Sequence, residues 1–151
     1  MEKMNGLQLD NIEAFKIATD QTIEEYCKQN NIDIDDIPPQ IWNDIIDELK
    51  FKIFLPNKKY LKVQNNVNNE YDINRLYEVY IYIYKRICNK HKKEITLKGY
   101  CELLDIHKQT IYNLSNKLTY DGFDLDEKIR EDNEQSLEAM LQDRSVNPMK
   151  V

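Results

Sequence analysis

Residues 96–117 read TLKGYCELLDIHKQTIYNLSNK, and the spacing within this stretch decides the fold. Thr96 is a fair N-cap for a short helix. Leu97, Tyr100, Cys101 and Leu104 follow at steps of one, three and four, the pattern of one helical face. Cys101 is small where a second helix has to come close. Asp105-Ile106-His107 breaks the pattern. Ile106 can fill the corner between two helices. Asp105 stands where such turns often carry Gly, and Asp tolerates the left-handed conformation better than most residues. A second helix then turns Ile111 and Leu114 inward and leaves Lys108, Gln109, Tyr112, Asn113, Asn116 and Lys117 to face out. Two helices joined this way read as a helix-turn-helix, and a second helix offering Lys, Gln, Thr and Asn in its first half suits the major groove. Gln and Asn bond adenine in a bidentate way, and Lys reaches guanine or phosphate. The competing expectation is a helical pair that binds nothing, since this geometry is not itself a function. The carboxylate of Asp105 near the DNA side counts against the sharper one.

The neighbouring segments are helical as well. Asp72 caps a helix over 73–90, with Ile73, Leu76, Tyr77, Tyr80, Ile83, Tyr84, Ile87 and Cys88 at helical spacing. The run Tyr80-Ile81-Tyr82-Ile83-Tyr84 also alternates, so a strand competes there, but length and capping favour the helix. These tyrosines lie on the apolar stripe and read as core rather than as base-stacking platforms. Beyond residue 117, the turn Asp121-Gly122 precedes a last helix from Asp124 to about Gln142. Leu125, Ile129, Leu137, Met140 and Leu141 mark its apolar side around a very polar middle, which suggests an arm that packs on a partner or a second copy.

Toward the N-terminus, Gln40 opens a helix to Phe54 whose wide apolar face holds Ile41, Trp42, Ile45, Ile46, Leu49, Ile53 and Phe54. Trp42 reads as core. Pro56 ends this helix. Residues 57–69 read as a loop with Lys58, Lys59 and Lys62, a short extended piece over 60–63, and charge able to touch a nucleic-acid backbone. Before Gln40 lies the acidic loop 32–39, closed by Pro38 and Pro39. Two short helices precede it, one over 11–18 and one opened by the capping-box pattern Thr22-Ile23-Glu24-Glu25. The expected fold is all-α: a helical domain with a central helix-turn-helix and a C-terminal helical arm. It divides into an acidic N-terminal helical region with a basic loop (1–70), a helix plus helix-turn-helix DNA-binding core (71–120) and the arm (121–151).

A formal net charge of −6 argues on its face against nucleic acid. The distribution argues otherwise. Residues 1–50 hold 12 acidic and 4 basic side chains, whereas residues 85–120 hold 8 basic and 3 acidic. Local field decides whether a surface meets phosphate. The bland alternative is a solvated lysine-rich face. Cys27, Cys88 and Cys101 are odd in number with no signal peptide before them, which suggests reduced thiols in a cytosolic protein. No apolar run approaches the roughly 20 residues needed to cross a bilayer, so no membrane partner is expected. Cys88, His91, Cys101 and His107 are the residue types of a zinc site, but Cys101 belongs in the helix-turn-helix interior and His107 on its outer side. Gly6, Gly99 and Gly122 are too dispersed for a phosphate loop. The expectation is a non-enzyme without metal or cofactor.

The run YEVYIYIYKRICNKHKKEITLKGYCELLDIHKQTIYNLSN resembles the core of small terminase subunits, the DNA-packaging proteins of tailed phages. The resemblance rests on Ile95-Thr96-Leu97-Lys98-Gly99-Tyr100-Cys101 and on Thr110-Ile111-Tyr112, and it covers roughly residues 72–151. The tail EDNEQSLEAMLQDRSVNPMKV is similar to segments that follow this element in prophage proteins of Gram-positive bacteria; there a further apolar helix follows Asn-Pro, so the chain reads as a shortened version of a longer one. The resemblance implies a helical protein that binds double-stranded viral DNA, often as a ring-shaped homo-oligomer, and presents it to a packaging ATPase. It assigns the DNA contact to Lys98, Lys108, Gln109, Thr110, Asn113 and Asn116. With Tyr112 and Lys117 these are the candidate site residues. Two readings compete: a protein-binding inhibitor or adaptor of a mobile element that meets a host protein through Asp33, Asp35, Asp36, Asp44, Asp47 and Glu48, and a plain helical scaffold.

Overall fold

Caps and breakers set the helix ends. A computed structural model of the chain describes residues 8–64, 69–115 and 124–145, and among these it holds six helices and no strand. The all-α expectation is met. Helix α1 (Ile12–Gln29) begins at Asn11, whose side chain accepts from the Ala14 N–H at 2.9 Å. One helix stands where the sequence suggested two. Thr22 opens nothing; it is buried inside α1 on a stripe with Phe15, Ala18, Thr19, Ile23 and Cys27. No Gly or Pro interrupts 18–22. Ordinary propensity differences are at most about 0.7 kcal/mol per residue, too little to break a stripe that buries Phe15 and Ile23.

Helix α2 (Pro39–Leu49) starts with Pro in its first turn, where no backbone N–H is missed. It runs on as a wider π turn (Lys50–Phe54), closed by the Leu55 N–H bonding the Lys50 carbonyl five residues back. Trp42, Ile45, Ile46, Leu49, Ile53 and Phe54 are buried. The extended piece expected over 60–63 shrinks to a single antiparallel bridge between Lys62 and Tyr71. Tyr60 and Leu61 instead end a 3-10 turn (Lys58–Leu61) that carries both side chains into the core.

Helix α3 spans 73–90 as one rod: an α segment (Ile73–Val79), a π turn (Tyr80–Lys85) and an α segment (Arg86–Lys90). Asp72 caps it by accepting from the N–H groups of Asn74 and Arg75. The alternating tyrosine run is helical: Tyr80, Ile83 and Tyr84 are buried, while Ile81 and Tyr82 face out. Helix α4 (Leu97–Leu104), helix α5 (Lys108–Ser115) and helix α6 (Leu125–Ser145) complete the chain order. One hydrophobic cluster runs from Phe15 to Ile129. The π turn of α3 packs on α1 and α4, α2 packs on α1 and α4, and α6 packs on α4 and α5.

Helix α6 differs from the arm read in the sequence. Its inward stripe is Leu125, Ile129, Asp132 and Ser136, and Leu137 and Leu141 are exposed. The buried polar positions have partners on the body. Asp132, 4% exposed, accepts from the Tyr80 hydroxyl at 2.6 Å and lies 3.4 Å from Lys85 and 3.6 Å from Lys128. The Ile95 N–H donates to Ser136 Oγ at 3.4 Å, and Asn133 Nδ2 donates to the Ile95 carbonyl at 2.6 Å. The N-terminal half of α6 is therefore committed to the same chain, behind the helix-turn-helix.

Candidate nucleic-acid interface

Thr96 starts α4 as the sequence suggests, its Oγ1 accepting from the Gly99 N–H at 2.9 Å. The helix stops at Asp105, which sits in the left-handed region at φ 58 and ψ 51. Asp thus supplies the corner without Gly. Ile106 is buried at the corner, and Cys101, Ile111 and Leu114 are buried between the two helices and the body. α5 then presents one outer face. Lys108, Gln109, Tyr112 and Asn113 are exposed and Thr110 is half-buried, while Lys98 is exposed on α4. Asn116 and Lys117 lie outside the described residues.

On that outer face Gln109 Nε2 donates to Asn113 Oδ1 at 3.0 Å. So joined, one amide keeps its oxygen and the other its nitrogen for a ligand, an acceptor and a donor one helical turn apart.

Two cations that local sequence could not assign also meet here. Lys58, read as a loop charge for the nucleic-acid backbone, turns inward. Its Nζ donates to the carbonyls of Leu104 at 2.8 Å and Asp105 at 2.6 Å. It satisfies the last carbonyls of α4 and so fixes the corner, a role lysine suits at a helix C-terminus. Burial lowers its pKa, with Asp105 acting the other way. Lys50 comes from the end of α2. It borders an open groove of about 630 Å³ whose other cations are Lys98 and Lys108. Gln109, Tyr112 and His107 line the same groove, as do the carboxylates Glu102 and Asp105.

Tyr80, Tyr84 and Tyr100 serve the interior. The Tyr100 hydroxyl donates to the Leu76 carbonyl at 2.8 Å, anchoring α4 to α3 just before the π turn. Tyr100 packs edge-on against Tyr80 at 5.5 Å. Burial raises the pKa of Tyr80, Tyr84 and Tyr100. Cys88, His91, Cys101 and His107 form no metal-holding group. Burial raises the Cys88 thiol to about 12 and the Cys101 thiol to about 11. His91 packs on Trp42 with ring centres 5.5 Å apart, and His107 is exposed in the groove. Among the described residues no group of His, Cys, Asp and Glu is arranged to hold a metal, and no helix is long and apolar enough to cross a membrane.

Compared with protein-family models, with curated proteins and with solved structures, the chain matches none.

Proposed function

We propose that this chain is a phage- or prophage-type DNA-binding protein that reads double-stranded DNA through α5. The observation that carries the reading is the outer face of α5: Lys108, Gln109, Tyr112 and Asn113 are exposed together beside a lysine-lined groove, while Ile111 and Leu114 hold the helix to the body. Lys108 supplies affinity through phosphate, and the Gln109–Asn113 pair supplies sequence preference. The narrower role in DNA packaging, with a ring-shaped oligomer and a packaging ATPase as partner, rests on the motifs at 95–101 and 110–112 alone.

The test is a salt series of binding to random duplex DNA, comparing wild type with the triple variant Lys108→Ala/Gln109→Ala/Asn113→Ala. Salt-sensitive binding that the triple variant loses, with its helical circular dichroism unchanged, is the expected result. Absence of binding by wild type at low salt would overturn the reading. A second reading, capture of a partner protein by acidic surface, is favoured by the exposure of Asp33, Asp35, Asp36 and Asp44. It expects a protein complex that survives the triple substitution.

A further inference from the structure

We infer that the DNA interface is composite, with Lys50 of α2 as a phosphate contact outside the helix-turn-helix and Glu102 as a carboxylate that limits affinity. The inference rests on the DNA-binding reading and adds a second element to it. The first observation is positional. Lys50 begins the π turn of α2, and that turn packs on α4. Leu49 and Ile53 point into the core, and Lys50 between them borders the groove with Lys98 and Lys108. Three lysines from three helices thus line one concave surface beside the exposed face of α5.

The second observation concerns how Lys50 is held. Its side chain is only 19% exposed, with Nζ 3.8 Å from Asp47 Oδ1 and 4.9 Å from the centre of the exposed Phe51 ring. A weak, partly exposed pair of this kind adds little stability. Asp47 and Phe51, neither of which lines the groove, restrict the long side chain of the lysine that does. An ammonium already held at a surface loses less rotamer freedom when a phosphate replaces its carboxylate neighbour. The third observation is the opposing charge. Glu102 lines the groove on its α4 side, within the same concavity as the three lysines. A carboxylate there repels a phosphodiester whatever the base sequence.

The occupant that fits is a duplex backbone. A helix-turn-helix that enters the major groove brings the flanking strand against the elements beside the recognition helix. Phosphate contacts of this kind set register and are indifferent to sequence.

The experiment measures binding of the full chain to a random-sequence duplex across a salt series, for wild type, Lys50→Gln, Lys50→Arg and Glu102→Gln. Each phosphate contact adds about 0.9 to the slope of log affinity against log salt. Lys50→Gln should therefore lower the slope by about 0.9, and its deficit relative to wild type should shrink about threefold between roughly 50 and roughly 200 mM salt. Lys50→Arg should keep the wild-type slope, which separates charge from packing. Glu102→Gln, at an exposed position, should bind more tightly on all sequences. If wild type binds with a salt slope that Lys50→Gln leaves intact, or if Glu102→Gln does not tighten binding, the composite interface is wrong while the α5 reading stands. If wild type does not bind duplex DNA at low salt, both fall. A slope that drops equally for Lys50→Gln and Lys50→Arg would mark Lys50 as a packing residue and overturn its role as a contact.

Discussion

Gly99→Ala offers a sharp test of how the helix-turn-helix is seated. Gly99 lies in α4 where that helix crosses Tyr84. A Cβ at position 99 would lie 2.3 Å from Tyr84 Oη, 3.0 Å from Thr96 Oγ1 and 3.1 Å from Tyr84 Cζ. Tyr84 cannot step aside into solvent, because it is 2% exposed and its ring packs 6.0 Å from that of Tyr100. Its hydroxyl also accepts from the Thr96 N–H at 3.1 Å, so moving it breaks that bond at the start of α4. Overpacking of this kind costs about 1–3 kcal/mol. Losing the Thr96 N–H bond adds about 1 kcal/mol, and the better helix propensity of Ala returns about 1 kcal/mol. The net is about 2 kcal/mol of destabilisation, which for a chain of this size lowers Tm by roughly 4–8 °C.

Thermal melts followed by circular dichroism would measure it, with a double-mutant cycle as control. Tyr84→Phe removes the atom that Ala would strike. The double variant Gly99→Ala/Tyr84→Phe should then be more stable than the sum of the two single losses, with a coupling of about 1 kcal/mol. A Gly99→Ala protein that melts at or above wild type would mean that propensity outweighs sterics, and the close seating of α4 on α3 would be refuted. An additive cycle would refute Tyr84 as the neighbour responsible.

Two other perturbations follow from the same structure. Lys58→Met keeps most of the stem but removes the donor from the Leu104 and Asp105 carbonyls; it should cost about 1–2 kcal/mol in a urea titration and weaken DNA binding without altering sequence preference, and an unchanged midpoint would show that the corner holds itself. His91, half-buried on Trp42, has its pKa pushed below the ordinary 6.5 by burial and then by Lys90. As pH falls through 6.5 the unfolded chain takes up a proton that folded His91 refuses. Stability should therefore drop from about pH 6.5 downward until the folded pKa is passed, with no His91 contribution above that window. Urea midpoints read by fluorescence of Trp42, the single tryptophan, should fall between about pH 7 and about pH 5.5, and His91→Gln should flatten that slope; an equal slope in the variant would assign the effect to other groups.

Much of the fold is legible because its signals are local. Asp72, Thr96 and Pro39 act within one turn of themselves, and the corner at Asp105 follows from three consecutive residues. The outer face of α5 was legible for the same reason, since Ile111 and Leu114 fix its rotation. The misreadings share a different cause. The Thr22–Glu25 pattern is a cap only where the chain turns, and the continuous burial of Phe15 through Cys27 keeps it straight. The inner stripe of α6 runs through Asp132 and Ser136, which hydropathy assigns to solvent; Tyr80 and the Ile95 N–H, 52 and 41 positions away, make them interior. Lys58 and Lys50 are likewise placed by what folds against them. A pattern within one window carries no information on a partner 46 residues distant.

The same distinction revises the charge reading. The basic block over 85–120 is in part internal structure. Lys85 lies 3.4 Å from Asp132, Arg86 forms two bonds of 3.1 Å to Asp20, and Lys93 donates to the Ile37 carbonyl. Exposed Lys98 and Lys108 remain at the groove, joined by Lys50 from the acidic half of the chain. Under the proposed reading, three phosphate contacts give one copy a salt slope of only about −2.7. Such a footprint binds weakly by itself. Glu102 and Asp105 weaken it further, so strong retention on DNA would come either from several copies engaging one duplex, where effective concentration multiplies modest contacts, or from base contacts. A measured slope well beyond about −3 would thus report cations beyond these three, Lys117 or those of a second copy, whereas a slope near that value with tight binding would mean that the base contacts of Gln109 and Asn113 carry the affinity.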